Sequence, residues 1–281
     1  MDKIILLVFF MMFFIVASGV RTTRDKNSKE SKLKRIKHNG IEVPDENLRG
    51  VIWDAVQQLS DHTSTRNKLN EKDLKRITSL NAMIKGIGSL EGVDFSKFKN
   101  LKELNLNYNG IASLKGVDFS GLSSLETLSF TFNVMESLEG VDFRGLDKLT
   151  TLDLNENELK GFKGIDFSGL ESLKTLNLGL NRIVSLAGID FSGLQRLRYL
   201  NLRLNYITSL EGADFRDLGN LKHLNLDFNQ IDTMNGFKEA LSGLDNLTVS
   251  MYDNTITGTP EYQEAISEIE RSSENTIIFI P

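Results

Sequence analysis

Along most of this chain, apolar and polar residues alternate for a few positions, an asparagine follows, and the pattern returns every 24 residues. The asparagines are Asn109, Asn133, Asn157, Asn181, Asn205 and Asn229. Ahead of them stand Leu104/Leu106, Leu128/Phe130, Leu152/Leu154, Leu176/Leu178, Leu200/Leu202 and Leu224/Leu226, and behind them an aromatic series, Phe95, Phe119, Phe143, Phe167, Phe191 and Phe215. A unit this short cannot bury its own apolar face, so the copies must stack into a solenoid with one continuous core. Each alternating pair predicts a short strand with its two apolar side chains inward and the residues between them outward.

The remaining positions of the unit follow from that placement. An inward asparagine carries an amide that can satisfy backbone groups which stacking removes from water. Asp94, Asp118, Asp142, Asp166, Asp190 and Asp214 precede a Phe-Ser/Arg segment and are expected to cap the short helical turn there. Their alignment would also suit weak calcium binding, but a ladder of unneutralised carboxylates one strand spacing apart repels itself. Gly92, Gly116, Gly140, Gly164, Gly188 and Gly212 are expected where the backbone takes angles that a side chain would forbid.

A solenoid needs closure at both ends. Upstream, Leu48, Val51, Ile52, Ala55, Val56 and Leu59 recur at helical spacing after Pro44-Asp45, an N-cap signal, with Trp53 on the other side of that helix. A second short helix begins at Asn70, whose side chain can cap while Asp73 reaches back, and carries Leu74 and Ile77. The first turn is weakened, with Leu80, Ala82, Ile87 and Leu90 but Lys85 where asparagine stands elsewhere. Downstream, Val249, Met251, Asn254 and Ile256 restore the signature after a step of 25 residues. Gly236 to Leu241 reads as helical, Pro260 opens a helix carrying Tyr262, Ala265, Ile266 and Ile269, and Ile277 to Ile280 reads as a strand closing the sheet edge. Pro281 would discourage further strand addition there.

The motif L-x-x-L-x-L-x-x-N-x-I followed by S-L-x-G-V-D-F-S-G-L resembles the leucine-rich repeat. The upstream string P-D-E-N-L-R, then L-N-E-K-D-L-K-R-I-T-S-L-N-A and I-K-G-I-G-S-L-E-G-V, resembles the helical amino-terminal cap of internalin-like bacterial surface proteins. The resemblance implies an α/β solenoid, a right-handed leucine-rich repeat horseshoe with a parallel concave sheet, a helical cap and a helix–strand cap. The expected organisation is 1–20 signal peptide or membrane anchor, 21–40 basic flexible linker, 41–79 helical cap, 80–257 repeats and 258–281 C-terminal cap.

Composition narrows the function. The 281 residues include no cysteine, which removes disulfides, thiolate metal sites and cysteine nucleophiles. Residues 1–37 hold nine basic and three acidic side chains, and the rest hold 24 and 35, so the leader is near +6 and the body near −11. An acidic body does not suit a polyanion, so no nucleic-acid partner is expected. Ile4 to Val20 is an uncharged apolar run. With Lys3 before it and Ala17-Ser18-Gly19 at its end it reads as an export signal, the repeats then lying outside. As an uncleaved membrane tether it would be short, and the basic residues after it would hold the repeats in the cytoplasm. The first reading is preferred, giving a secreted or cell-surface protein.

No sequence constellation calls for catalysis, a metal or a cofactor: H-E-x-x-H, G-x-S-x-G and the phosphate-loop motif are missing, and Asp153 with Glu156 is a carboxylate pair without a pocket. The expectation is a monomeric, non-enzymatic module that binds a protein or peptide on its concave face. Asn105, Asn177, Asn201 and Asn225 form a polar lane there. Tyr108, Phe132, Leu180, Leu204 and Phe228 form an apolar stripe interrupted by Glu156, and exposed apolar stripes mark interaction surfaces. Tyr199 joins the anchors, His223 beside it is a surface contact residue, and Arg203 and Asp153 act as selectors. A self-associating scaffold and a polysaccharide-binding surface protein remain as alternatives.

Overall fold

The computed structural model describes residues 43–272 and 277–280. The apolar run at 4–20, the basic segment at 21–40 and Pro281 lie outside the described residues.

The cap begins with helix α1 (Glu46–Gln57), whose N-cap is Asp45, its carboxylate accepting from the Leu48 amide at 2.9 Å. The other oxygen of Asp45 accepts from the Gly88 amide at 3.3 Å, which ties the cap to the first solenoid turn. Leu48, Val51, Ile52 and Val56 are buried, and Trp53 is half-buried with its ring edge-on to His62. Helix α2 (Glu71–Leu74) is capped by Asn70 as its sequence predicts. Asp73 does not reach back to complete a capping box. It is fully buried and turns toward the preceding loop, accepting from the amides and hydroxyls of Thr63 and Ser64. Those four donors hold its carboxyl below the usual range against the opposing effect of burial, which is the largest single influence on it.

Nine strands follow, in chain order in one sheet, every pairing parallel. They are β1 (Ser79–Asn81), β2 (Glu103–Asn105), β3 (Thr127–Ser129), β4 (Thr151–Asp153), β5 (Thr175–Asn177), β6 (Tyr199–Asn201), β7 (His223–Asn225), β8 (Leu247–Ser250) and β9 (Ile277–Ile280). Successive strands are related by 24 residues until His223 pairs with Thr248, where the step is 25. Helix α3 (Phe237–Ala240) precedes β8 and α4 (Pro260–Ser272) precedes β9, so the closing helix and strand are where the apolar pattern predicts them. Tyr262 and Ile269 of α4 are buried.

Each signature asparagine joins two turns. Asn157 donates to the carbonyls of Phe130 and Leu154 at 3.0 and 3.1 Å and accepts from the Met135 amide at 3.1 Å. The same bonds recur at Asn133, Asn181, Asn205, Asn229 and Asn254. Because the amide serves the turn before its own, an asparagine at Lys85 would face the cap helix instead of an earlier repeat, and that turn's backbone is served by Asn109. This explains why the first turn lacks the residue that defines the others.

On the far side of the core, the phenylalanines form a spine. Rings of Phe95, Phe119, Phe143, Phe167 and Phe191 stack at 6.2, 6.5, 6.4 and 6.2 Å between centroids. Parallel strands lie about 4.8 Å apart, so the back of each turn is wider than its front and the sheet lies on the inside of the curve. The aspartates cap the segments holding these rings: Asp94, Asp118, Asp142, Asp166, Asp190 and Asp214 each accept from the amide two residues on, at 2.8–3.0 Å. The six glycines before them adopt φ of 69–76°, the left-handed region expected of them.

A second ladder of caps has one gap. Ser89, Ser113, Ser137, Ser185, Ser209 and Thr233 each accept from the amide two residues on. Gly161 stands at the equivalent place, and a Cβ added to it would meet nothing within 4 Å. Gly161→Ser is therefore expected to stabilise the fold by about 0.5–1 kcal/mol, through the added hydroxyl acceptor and a less flexible unfolded chain. Asn157→Ala, which strands buried backbone groups, is expected to cost about 2–3 kcal/mol. Denaturant midpoints measure both, and a Gly161→Ser midpoint at or below the parent value would contradict the first.

Candidate functional site

The face of the sheet opposite the phenylalanine spine carries the outward strand positions, and each strand ends in the same turn. Its second residue, just before the signature asparagine, has a left-handed backbone in every repeat: Ile84, Tyr108, Phe132, Glu156, Leu180, Leu204, Phe228 and Asp253 have φ of 52–57°. Residues with side chains avoid this region at a cost of about 1 kcal/mol or more. Two contacts hold it here. The left-handed residue donates its amide across to the next turn, as Tyr108 does to Thr131 at 2.8 Å and Leu180 to Arg203 at 2.8 Å, and the buried asparagine amide follows immediately. The apolar stripe thus runs along the edge of the sheet, in the turns after the strands, and not on the strands themselves.

The expected anchors fall into three groups. Tyr108 and Phe132 stack at 4.3 Å with planes 17° apart, a flat aromatic platform near the N-terminal end of the column. Phe228 packs edge-on to Tyr252 at 5.3 Å and receives the Arg203 guanidinium over its ring at 4.3 Å. Tyr199 and His223 are neighbours on β6 and β7, their rings tilted at 6.3 Å. Between the first two groups lie Leu180, exposed, and Leu204, half-buried. Tyr108 and Phe228 are five rungs apart, about 24 Å at the ordinary strand spacing, so the stripe is a line of contacts and not one pocket. Asp227, beside His223 in the sequence pattern, is buried and accepts from the Ser250 hydroxyl and the Tyr252 amide of the next turn.

The asparagine lane is partly committed to the fold. Asn105, Asn177, Asn201 and Asn225 each use the side-chain oxygen to accept from the amide two residues on, at 2.9–3.2 Å, as Asp153 also does. Asn201 further donates to Asn177 at 2.8 Å. Among the described residues the Asn105 and Asn225 amide nitrogens make no such bond, so the lane offers donors more than acceptors.

Glu156 is the odd member of the column. Its carboxyl is half-buried, and burial pushes its pKa up to about 7, with the charge of Asp153 adding to the rise and a hydrogen bond from the Asn155 amide opposing it. That bond is long, 3.4 Å. Burial and the Glu156 charge together raise the Tyr108 phenol. Asn155 can lie where it does because residue 179 is glycine: a Cβ there would sit 2.8 Å from the Asn155 oxygen and 3.0 Å from the Asn201 nitrogen.

Sequence reasoning passed over several exposed groups that extend the same columns. Met83 and Ile84 continue them into the first turn, Tyr252 continues the Arg203 and Asp227 column, and Ile278 and Ile280 continue the strand columns onto β9. The weakened first signature and the 25-residue step hid the first three; pairing the alternation of β9 with that of β8 could have found the last two.

The comparisons agree with this geometry. The family model for the leucine rich repeat matches residues 75–135, 128–183 and 171–231. Sequence comparison with curated proteins gives no match. Among solved structures, an internalin of Listeria monocytogenes (inlF) is similar at 23% identity and a TM-score of 0.55, over 84% of this chain and 62% of that one. Internalin C2 of the same organism is similar at 24% identity and 0.50, over 84% and 94%. The TLR13–ssRNA13 complex is similar at 26% identity and 0.57, over 68% and 31%. The chain thus spans less than two thirds of the first internalin, and the likeness to both internalins is one of fold.

The Glu156 carboxyl titrates near 4.5 when unfolded and near 7 when folded, so the folded state loses stability as pH rises through that window. Partial exposure keeps the effect small. Glu156→Gln is expected to match the parent Tm at pH 4 and to exceed it by about 2 °C at pH 8.5; equal values at both would refute a strained carboxyl.

Proposed function

The chain belongs to the leucine-rich repeat family, and we propose that it is a non-enzymatic module of a bacterial cell envelope that binds a protein or peptide on its concave face. Stacked repeats of this kind build extended concave surfaces and are used as protein-interaction scaffolds. The observation that carries the reading is the left-handed column. It sets Tyr108, Phe132, Leu180, Leu204 and Phe228 at equivalent places along one edge of the sheet, only partly covered, on a backbone cross-bonded from turn to turn. Large apolar groups held rigidly and left incompletely buried suit the centre of an interface. Tyr199, His223, Arg203 and Asp153 flank them on the strands and in the turns, and supply polar selection.

A nucleic-acid partner fits less well. One structural relative is a complex with single-stranded RNA, but this face carries Glu103, Asp153 and Glu156 and its Arg203 is stacked on Phe228. Backbone phosphates would meet more negative charge than positive. Placement in the envelope rests on the apolar run at 4–20 and its small-residue end.

Phe132→Ala combined with Phe228→Ala is expected to weaken capture of a partner from native envelope extract at least tenfold while leaving the far-ultraviolet circular dichroism unchanged. Undiminished capture would remove this edge as the binding surface. Protease added to intact cells is expected to cut within 21–40 and release a fragment beginning near residue 40. A protected chain with Met1 retained would place the repeats inside and leave the concave-face reading standing.

A further inference from the structure

Most carboxylates removed from water elsewhere in the described chain find donors or a cation within it, although one oxygen of Asp73 and one of Asp245 have no hydrogen-bond partner. Asp73 has four donors from Thr63 and Ser64, Asp227 has Ser250 and Tyr252, and Glu158 pairs with Arg182 at 3.4 Å. Glu156, half-buried, has only the 3.4 Å bond from Asn155. No described lysine, arginine or histidine lies within ion-pair distance of it or of Asp153. Two neighbouring carboxylates that share only the 3.0 Å bond from the Asn155 backbone amide to Asp153 and the long side-chain bond to Glu156, with no described cation in reach, leave this point of the surface short of positive charge.

Its surroundings define what could supply that charge. In the column, Glu156 is preceded by Phe132, stacked on Tyr108, and followed by Leu180, exposed and apolar. A bare metal ion has too few ligands, since no group of three histidine, aspartate or glutamate side chains that could hold one occurs among the described residues. A lysine or arginine side chain fits on both counts. Its methylenes can lie along Leu180 and the aromatic platform while its head reaches the carboxyls, and an aromatic face adds cation–π attraction.

We propose that Glu156 is the specificity-determining residue of the concave face, and that it receives a lysine or arginine side chain of a polypeptide partner, flanked in that partner by apolar residues that seat on Phe132 and Leu180. The proposal rests on the concave-face reading and adds the chemistry of the ligand. It also gives the raised affinity of Glu156 for a proton a use: in the free protein a proton relieves the buried carboxyl, and in the complex the partner's cation does so.

The test is selection of random dodecapeptides displayed on phage against the immobilised full-length chain, in parallel with Glu156→Gln, Glu156→Lys and the Phe132→Ala/Phe228→Ala pair, folding being checked by circular dichroism. The parent is expected to enrich peptides with a lysine or arginine beside apolar residues. Glu156→Gln should bind those peptides at least tenfold more weakly, the loss of one charge-assisted contact. Glu156→Lys should prefer acidic peptides instead, and the double alanine variant should enrich none. An unchanged cation preference in Glu156→Gln, or enrichment of purely apolar peptides by the parent, overturns the cation proposal and leaves the face in place. Enrichment untouched by the double variant, or none by the parent, overturns the face reading as well. Selection of sequences matching residues 21–37 would make the occupant this chain's own basic segment and would also count against an outside partner.

Discussion

The carboxamide of each signature asparagine carries two donors and an acceptor into a place that water does not reach, and it bonds the backbone of two turns at once. A flat turn at the end of a three-residue strand leaves carbonyls and amides with no partner in their own repeat, and burying each of them unpaired would cost about 1–3 kcal/mol. The bond of Asn157 to Phe130 of the previous turn and Leu154 of its own is therefore both a turn-former and a rivet between units. The strand pairing, the left-handed turn and the spacing of the outward side chains all presuppose it.

Once the front of each turn is fixed in this way, the back determines curvature. The phenylalanine rings at over 6 Å and the strands at the ordinary sheet spacing cannot be parallel columns of equal length. The difference closes the sheet side inward, where a ligand can touch many repeats. The spine tightens where the repeats end: Phe191 to Phe215 is 5.4 Å with rings tilted, and Phe237 then packs against Phe279 of the last strand at 6.4 Å.

Most of the architecture was legible in the sequence because periodicity reports stacking directly. The helices at 46–57 and 260–272, the slip of 25 residues and the edge strand at 277–280 all followed from apolar spacing. What periodicity could not report was which way a side chain spends its hydrogen bonds. Asp73 fits a capping box by spacing yet is drawn into the loop at Thr63 and Ser64, whose four donors converge on one of its buried oxygens. The lane of asparagines looks free from sequence, but local turns take its oxygens. The stripe was visible as a column and its backbone was not, since nothing in Tyr, Phe or Leu announces a left-handed torsion. Glu156 stood out as an interruption in an apolar series; its missing cation could be seen only with its neighbours in place.

The left-handed column has a consequence for how such a surface changes through descent. Its torsion is imposed by the asparagine that follows and by the turn that comes next, so tyrosine, leucine and glutamate share one backbone there. A codon change at one of these positions rewrites a single letter of the surface while leaving the backbone of its neighbours in place. Duplication or loss of one 24-residue unit instead slides every later letter by one whole rung, and never by a fraction. Recognition on this scaffold can thus drift letter by letter or jump in fixed steps, and a partner could stay matched by gaining or losing the same increment of length.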